Sequence, residues 1–473
     1  MARKNKRNRQ KVVTDISIGR MAAEGRAIAH KADGKVLFVD GAMPDDVVDV
    51  LITKNRKDYA VGKVVAIKTA SDKRIEPFCK HFGSCGGCKW QFISYEQQIE
   101  YKEQMVEEAL RRVGKLTFPP LMPILGAEPN VYYRNKMEYT FSNKRWLTLE
   151  EIKSEEKIER NAVGFHVPNK FDRIVDIEHC YLQGEPSNSI RNEVRTYALA
   201  NELSFYDIYE HIGLLRNLII RTSTLGEVMV IFCLGEDQPE NIKALLAHTL
   251  EKFPDITSLN YVVNTKKNDT IFDLDIINVH GRAFIYEKLE DFKYKVSPKS
   301  FFQTNPFQAE KLYQVVRDFA ELKGEEIVYD LYGGTGSIGI FLARNCKKVI
   351  GIEEIEAATI DAKFNAELNN LDNTAYLCGD VKDILQPDFL AQYGKADVLV
   401  VDPPRAGLHG DVVQQILAFK PQKIVYVSCN AVTQARDLQL LCETHYSIKK
   451  VQPVDMFPHT YHVENVVQLL LND

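Results

Sequence analysis

Ile327-Val-Tyr-Asp-Leu-Tyr-Gly-Gly-Thr-Gly-Ser-Ile-Gly339 reads as an apolar strand that runs into a glycine loop and opens a helix. Further strand-like runs follow, separated by helical stretches: Lys348-Val-Ile-Gly-Ile-Glu353, Ala375-Tyr-Leu-Cys-Gly-Asp380, Asp397-Val-Leu-Val-Val-Asp402 and Lys423-Ile-Val-Tyr-Val-Ser428. That alternation argues for a parallel, doubly wound α/β sheet from about residue 295 onward. Ligands on such sheets bind beyond the carboxyl ends of the strands. The reactive motifs of this region all fall there.

The loop holds a G-x-G-x-x-G pattern at Gly334, Gly336 and Gly339, and Glu353 ends the next strand where an acid can hold ribose hydroxyls. NAD and S-adenosylmethionine (SAM) share that ribose, so neither feature separates them. The surrounding acids do. Asp330 before the loop, Asp380 after a later strand and Asp402 in a Asp-Pro-Pro turn suit a cationic donor and would repel a pyrophosphate. Any one of these acids alone could be a helix N-cap; four at strand ends are poorly explained that way.

Val427-Ser-Cys-Asn430 places a cysteine at the mouth of the same sheet. A lone cysteine is more often a small buried hydrophobe. Cys429, however, follows a strand, and a helix start near Val432-Thr433-Gln434 is expected to lower its pKa. Glu464 supplies a candidate base, with His459 and His462 as alternatives. Amino-methylating enzymes usually follow the two prolines with an aromatic residue, and cytosine-5 RNA methylases usually carry a cysteine near that turn. Here Arg405 follows and the turn has no cysteine. Cys429 is left as the nucleophile, which favours attack on carbon 6 of uracil.

Upstream, Cys79-x5-Cys85-x2-Cys88 lies on a glycine-rich turn, a metal signal without a packing rationale. Cys180 is the best fourth ligand, whereas Cys233, Cys346 and Cys378 lie in apolar runs and read as core. Spacing alone does not choose between zinc and a [4Fe–4S] cluster. Short alternating segments over residues 12–68 suggest a small barrel. A helical stretch follows near 94–113, then mixed strands and helices to about 290, with an exposed charged excursion over 143–161.

At 473 residues, two to four domains are expected. The net charge of −5 does not by itself announce nucleic-acid binding, so the basic arm of residues 1–11 is the best local candidate, equally readable as a solubilising tail. Nine cysteines without a secretory signal or a membrane-length apolar run point to a reducing cytoplasm and no membrane partner.

Taken together, the sequence resembles the RNA (uracil-5-)-methyltransferases, in particular the iron–sulfur branch that includes the RumA-type 23S ribosomal RNA enzymes. The likeness spans most of the chain: the cysteine turn, Tyr133-Arg-Asn-Lys136, Ser300-Phe-Phe-Gln-Thr-Asn305, the glycine loop, Asp402-Pro-Pro-Arg-Ala-Gly407, Ser428-Cys-Asn430, and Asp455-Met-Phe-Pro-His-Thr460 with His462-Val-Glu464. It implies a TRAM-type, OB-like barrel at 12–70, a mixed α+β RNA-binding domain with a metal cluster at 71–294, and a Rossmann-like SAM-dependent methyltransferase domain at 295–473. It also implies a [4Fe–4S] cluster, rather than zinc, on Cys79, Cys85, Cys88 and Cys180. SAM contacts are implied for Gln303, Tyr332, Glu353, Asp380 and Asp402, with Cys429 as nucleophile and Glu464 as base. The implied substrate is 23S ribosomal RNA, with tRNA as the alternative, and a monomer is expected. Gly333, Ser337 and Ala431 depart from the family's usual Cys, Asn and Pro. An NAD-dependent oxidoreductase and a non-catalytic RNA-binding module are the rivals from other classes.

Overall fold

The computed structural model describes residues 11–472, so all but the last residue of the basic arm lies outside the described residues. Three large sheets follow one another along the chain. The first has six strands, in the order Val12–Ser17, Val47–Asn55, Tyr59–Thr69, Val36–Asp40, Ala27–His30 and Arg20–Met21. Its alternating strands turn Ala27, Ala29, Leu37, Val39, Val48 and Val50 inward. Register shifts between Val47–Asn55 and Tyr59–Thr69 bend the sheet over that core. Trp90 closes the core from the cysteine turn, with its indole N–H donating to the Gly25 carbonyl at 3.2 Å.

The helix Tyr95–Glu108 begins at Ser94, whose hydroxyl accepts from Gln97 N. The second sheet has seven strands, ordered Ile277–Gly281, Ser258–Val263, Val228–Leu234, Leu215–Thr222, Lys136–Ser142, Ala162–His166 and Ile174–Asp176. Its one parallel pair, Val228–Leu234 with Ser258–Val263, is bridged by the helix Pro239–Lys252, as a parallel crossover requires. The charged excursion is exposed mainly from Thr148 to Arg160, where it carries the short helix Leu149–Lys153 with a capping box between Thr148 and Glu151, whereas Leu147 is buried and Arg145 bridges to Ile174.

The third sheet runs Thr374–Cys378, Lys348–Glu353, Ile327–Leu331, Val398–Val401, Lys423–Ser428, Glu464–Leu471 and Tyr446–Val454. The first five are parallel, as expected, but the last two are antiparallel. Glu464–Leu471 enters beside Lys423–Ser428 from the opposite end, so its first residue lies against Ser428 and Asn465 pairs with it. Glu464 thereby arrives at the edge where the parallel strands end. The hairpin Ile285–Leu289 with Phe292–Val296 packs into one core with Val328 and Phe341. The division expected at 294/295 therefore falls inside a strand.

Candidate functional site

A cavity of about 1140 Å3 lies at the carboxyl edge of the third sheet. Five of the strands contribute to it at this edge: Tyr332 and Gly334, Glu353, Asp402 to Arg405, Cys429, and Glu464. Gln303 and Ser300 enter from the segment before the helix Pro306–Ala320, and Arg134 from the second sheet's side.

The glycine loop forms one wall. Tyr332 has φ 63° and Gly336 φ 78°, and a Cβ on Gly336 would lie 2.9 Å from the Tyr376 hydroxyl, so position 336 requires glycine. Glu353 braces the loop: Oε2 accepts from Gly334 N at 2.9 Å and Oε1 from Ile355 N at 2.8 Å. Each oxygen keeps a further lone pair for a ligand hydroxyl. The two family departures nearby have local explanations. The Ser337 hydroxyl accepts from Tyr313 at 3.1 Å. Ala431 occupies the first turn of the helix Ala431–Cys442, where proline is favoured but alanine also fits, and Asn430 caps that helix by accepting from Val432 N.

Two expected acids stand elsewhere. Asp330 is buried beneath the loop, with Oδ2 accepting from Gly339 N at 2.9 Å and Oδ1 unpartnered; burial lifts its carboxyl to about 7. It supports the loop rather than lining the cavity. Asp380 also lies outside the lining, because its carboxylate caps Lys382 N at 3.0 Å and pairs with Lys382 Nζ at 2.7 Å.

On the opposite wall Cys429, Glu464, Asp402, Arg405 and His462 converge. Glu464 is 4% exposed, not a solvated edge residue. Burial raises both Glu464 and Asp402, and for Glu464 the neighbouring Asp402 charge adds to it. Cys429 corrects an expectation. Its thiol is pushed up to about 11, first by burial and then by Glu464 and Asp402, with Arg405 pulling the other way. His462 accepts from Arg405 Nη2 on Nδ1 at 2.8 Å, so that nitrogen is engaged. His459 does not line the cavity: it is buried, and its backbone N–H donates to Gln98 Oε1 at 2.9 Å.

Cys79, Cys85, Cys88 and Cys180 line a second cavity of about 530 Å3, which shares Arg134, Ser300, Phe301 and Thr460 with the first. Sequence distance is bridged by backbone bonds: Glu178 N donates to His81 Nε2 at 3.1 Å and Gly86 N to His166 O at 3.0 Å. Asn188 fixes Cys180 by accepting from its N at 2.8 Å and donating to its O at 3.2 Å. All four are free thiols. Burial raises Cys85 to about 11 and Cys88 to about 12, while Gly87 N donates to Cys85 Sγ at 3.4 Å. Among the described residues no group of three or more His, Cys, Asp or Glu is arranged around a single metal ion. Four thiols around one cavity, with Gly87 N donating to one sulfur, are a donor set that suits thiolate ligation, which zinc and iron–sulfur clusters both use. Cys233 and Cys346 are core residues, but Cys378 is exposed because Thr374–Cys378 is the sheet's edge strand.

The sequence reading missed what joins the two cavities. Lys102 is fully buried and donates to Asp455 Oδ1 at 2.6 Å and to Phe457 O at 3.0 Å. The His459 carbonyl accepts from Lys89 N at 2.9 Å and Trp90 N at 3.1 Å. The segment 455–460 therefore ties the cysteine turn to the strand that begins at Glu464. A lysine in a Gln/Glu/Lys-rich helix gives no sign that it is the buried one.

Comparison with known proteins gives a consistent picture. The tRNA (uracil-5-)-methyltransferase family profile matches residues 222–472, and the TRAM domain profile matches residues 11–65. An uncharacterized RNA methyltransferase of Bacteroides thetaiotaomicron is 52% identical over 455 residues, 95% of this chain and 100% of its own length. One from Porphyromonas gingivalis is 48% identical over 464 residues, 97% of this chain and 100% of its own length. Among solved structures, the Pyrococcus abyssi tRNA (uracil-54, C5)-methyltransferase in complex with S-adenosyl-L-homocysteine superposes with a TM-score of 0.73 at 28% identity. That match covers 96% of this chain and 100% of the other.

Proposed function

Since this chain belongs to the tRNA (uracil-5-)-methyltransferase family, we propose that it methylates carbon 5 of a specific uridine in structured RNA, 23S ribosomal RNA first among the candidates. The observation that carries this reading is the sharing of one cavity by Cys429, Glu464, Asp402, Glu353 and the glycine loop. A thiol nucleophile, a carboxylate and a ribose-holding acid are the groups that uracil-C5 alkylation needs. Family membership sets aside the oxidoreductase alternative.

Gln303, Tyr332, Glu353 and Asp402 would hold SAM, with Asp380 outside on the adenine side. When bound, SAM supplies an electrophilic methyl group on a cationic sulfur. The N-terminal and central sheets would grip the RNA while the uridine is flipped into the cavity. Cys429 thiolate forms a bond to carbon 6, and the ring's π pair moves out to make carbon 5 nucleophilic. After methylation, Glu464 carboxylate takes the proton from carbon 5. That C–H pair re-forms the double bond and expels Cys429. In this reading Cys79, Cys85, Cys88 and Cys180 hold a [4Fe–4S] cluster that shapes the RNA-binding surface without redox chemistry.

A tRNA substrate is the second reading, favoured by the likeness to the Pyrococcus abyssi tRNA enzyme. Methyl transfer from labelled SAM into unmodified 23S ribosomal RNA and, in parallel, tRNA separates the two. Mapped 5-methyluridine in 23S RNA is expected. Label only in tRNA moves the substrate, and label in neither, with iron bound, overturns the reading.

A further inference from the structure

Arg405 follows the two prolines, and its carbonyl accepts from Asn430 Nδ2 and Thr433 Oγ1, both at 3.1 Å. Asn430 follows Cys429 directly and Thr433 lies in the first turn of the next helix, so the two strand-end turns are stapled together. The Arg405 side chain makes no hydrogen bond within the protein to Asp402 or Glu464, although both carboxylates line the same cavity. Its partner is His462 Nδ1, at 2.8 Å.

A guanidinium only donates, so Nδ1 must accept and the imidazole is neutral, with its proton on Nε2. Burial and the facing cations Arg405, Lys102 and Arg134 hold His462 near 4, neutral across the physiological range. The ring is also gripped mechanically. Tyr461 lies 4.2 Å away and Phe457 6.2 Å away, centroid to centroid, while His462 N donates to Thr460 Oγ1 at 3.2 Å. A fixed neutral acceptor orients a guanidinium without cancelling its charge, which a carboxylate partner would do. The charges facing Cys429 are Glu464 and Asp402, which oppose its ionisation, and Arg405, which favours it.

We propose that His462 is a positioning residue that holds the Arg405 guanidinium beside Cys429, so that the thiolate can form between two opposing carboxylates. The proposal rests on Cys429 being the nucleophile.

The test is the pH dependence of Cys429 alkylation by iodoacetamide in the full chain, read by mass spectrometry of the Cys429 peptide. Binding of S-adenosyl-L-homocysteine, followed by calorimetry, reports whether the cavity is intact. Arg405→Gln and His462→Leu should slow alkylation at pH 8 by about tenfold, the equivalent of one pKa unit. His462→Gln offers a carbonyl to the same guanidinium and should recover most of that rate. Coincidence of the His462→Leu profile with the unmodified chain overturns the proposal. So does a His462→Gln profile no better than that of His462→Leu. Methyl transfer and its loss in Cys429→Ser test the nucleophile separately, so flat titrations with working chemistry would remove the positioning role alone.

Discussion

The two thiol sites of this protein share one physical problem and solve it in different ways. Burial raises Cys85 and Cys429 to about 11 and Cys88 to about 12. At the cysteine turn the charges opposing a thiolate are other thiols. Four such groups around one cavity ionise together only if a permanent cation joins them. At Cys429 the opposing charges are two carboxylates, and the relief is one guanidinium that can act during a reaction cycle. Burial therefore does not distinguish the proposed ligands from the proposed nucleophile, whereas the neighbouring charges differ.

The sharpest way to break that contrast is to remove one thiol from each site. Cys429→Ala should lower methyl transfer by about four orders of magnitude or more, because no other group can activate carbon 5. It should leave iron content and S-adenosyl-L-homocysteine binding unchanged. Cys88→Ala should do the reverse in order: iron is lost first, and activity declines because the surrounding loops loosen. Full iron content in Cys88→Ala, measured by metal analysis, would remove that cysteine from the ligand set.

A smaller effect tests whether the two sites are mechanically joined. The Lys102–Asp455 pair is buried at both ends, and the Tyr95 hydroxyl donates to Asp455 Oδ2 at 2.9 Å. Lys102→Met leaves Asp455 a buried charge without its cation, which typically costs about 3–5 kcal/mol. Chemical denaturation should show that loss, and both iron retention and S-adenosyl-L-homocysteine affinity should fall together. If only one falls, segment 455–460 does not couple the sites.

Much of this was legible in the chain. Strand ends are where apolar runs meet glycine, proline or acid, so Glu353, Asp402 and Cys429 could be placed at one rim from sequence alone. The antiparallel entry of Glu464–Leu471 was not legible, since an apolar strand carries no mark of its direction. Asp330 and Asp380 lie outside the cavity lining for a related reason. Ending a strand fixes a residue's position along the sheet but not whether its side chain faces the cavity, the loop above it or the next helix. The Arg405–His462 contact spans 57 residues and has no periodic signature. Lys102 and Asp455 are joined across 353 residues, and only burial identifies them.

The smallest effect concerns what the buried carboxylates of the cavity cost the fold. Burial raises Glu464 in the folded chain above its usual 4.5. The folded state therefore keeps the proton after the unfolded chain has released it. The stability this confers is complete below the unfolded value and is lost as pH rises through the folded one. Glutamine has no proton to lose there. Glu464→Gln should accordingly match the unmodified chain in stability near pH 4 and exceed it increasingly toward pH 9, by on the order of 1 kcal/mol. Thermal melts across that range check the slope. The same variant should accumulate a methylated covalent adduct with RNA and release it about 10²-fold or more slowly, since the base is gone. A variant equally stable at every pH would mean that Asp402, rather than Glu464, carries the shared proton.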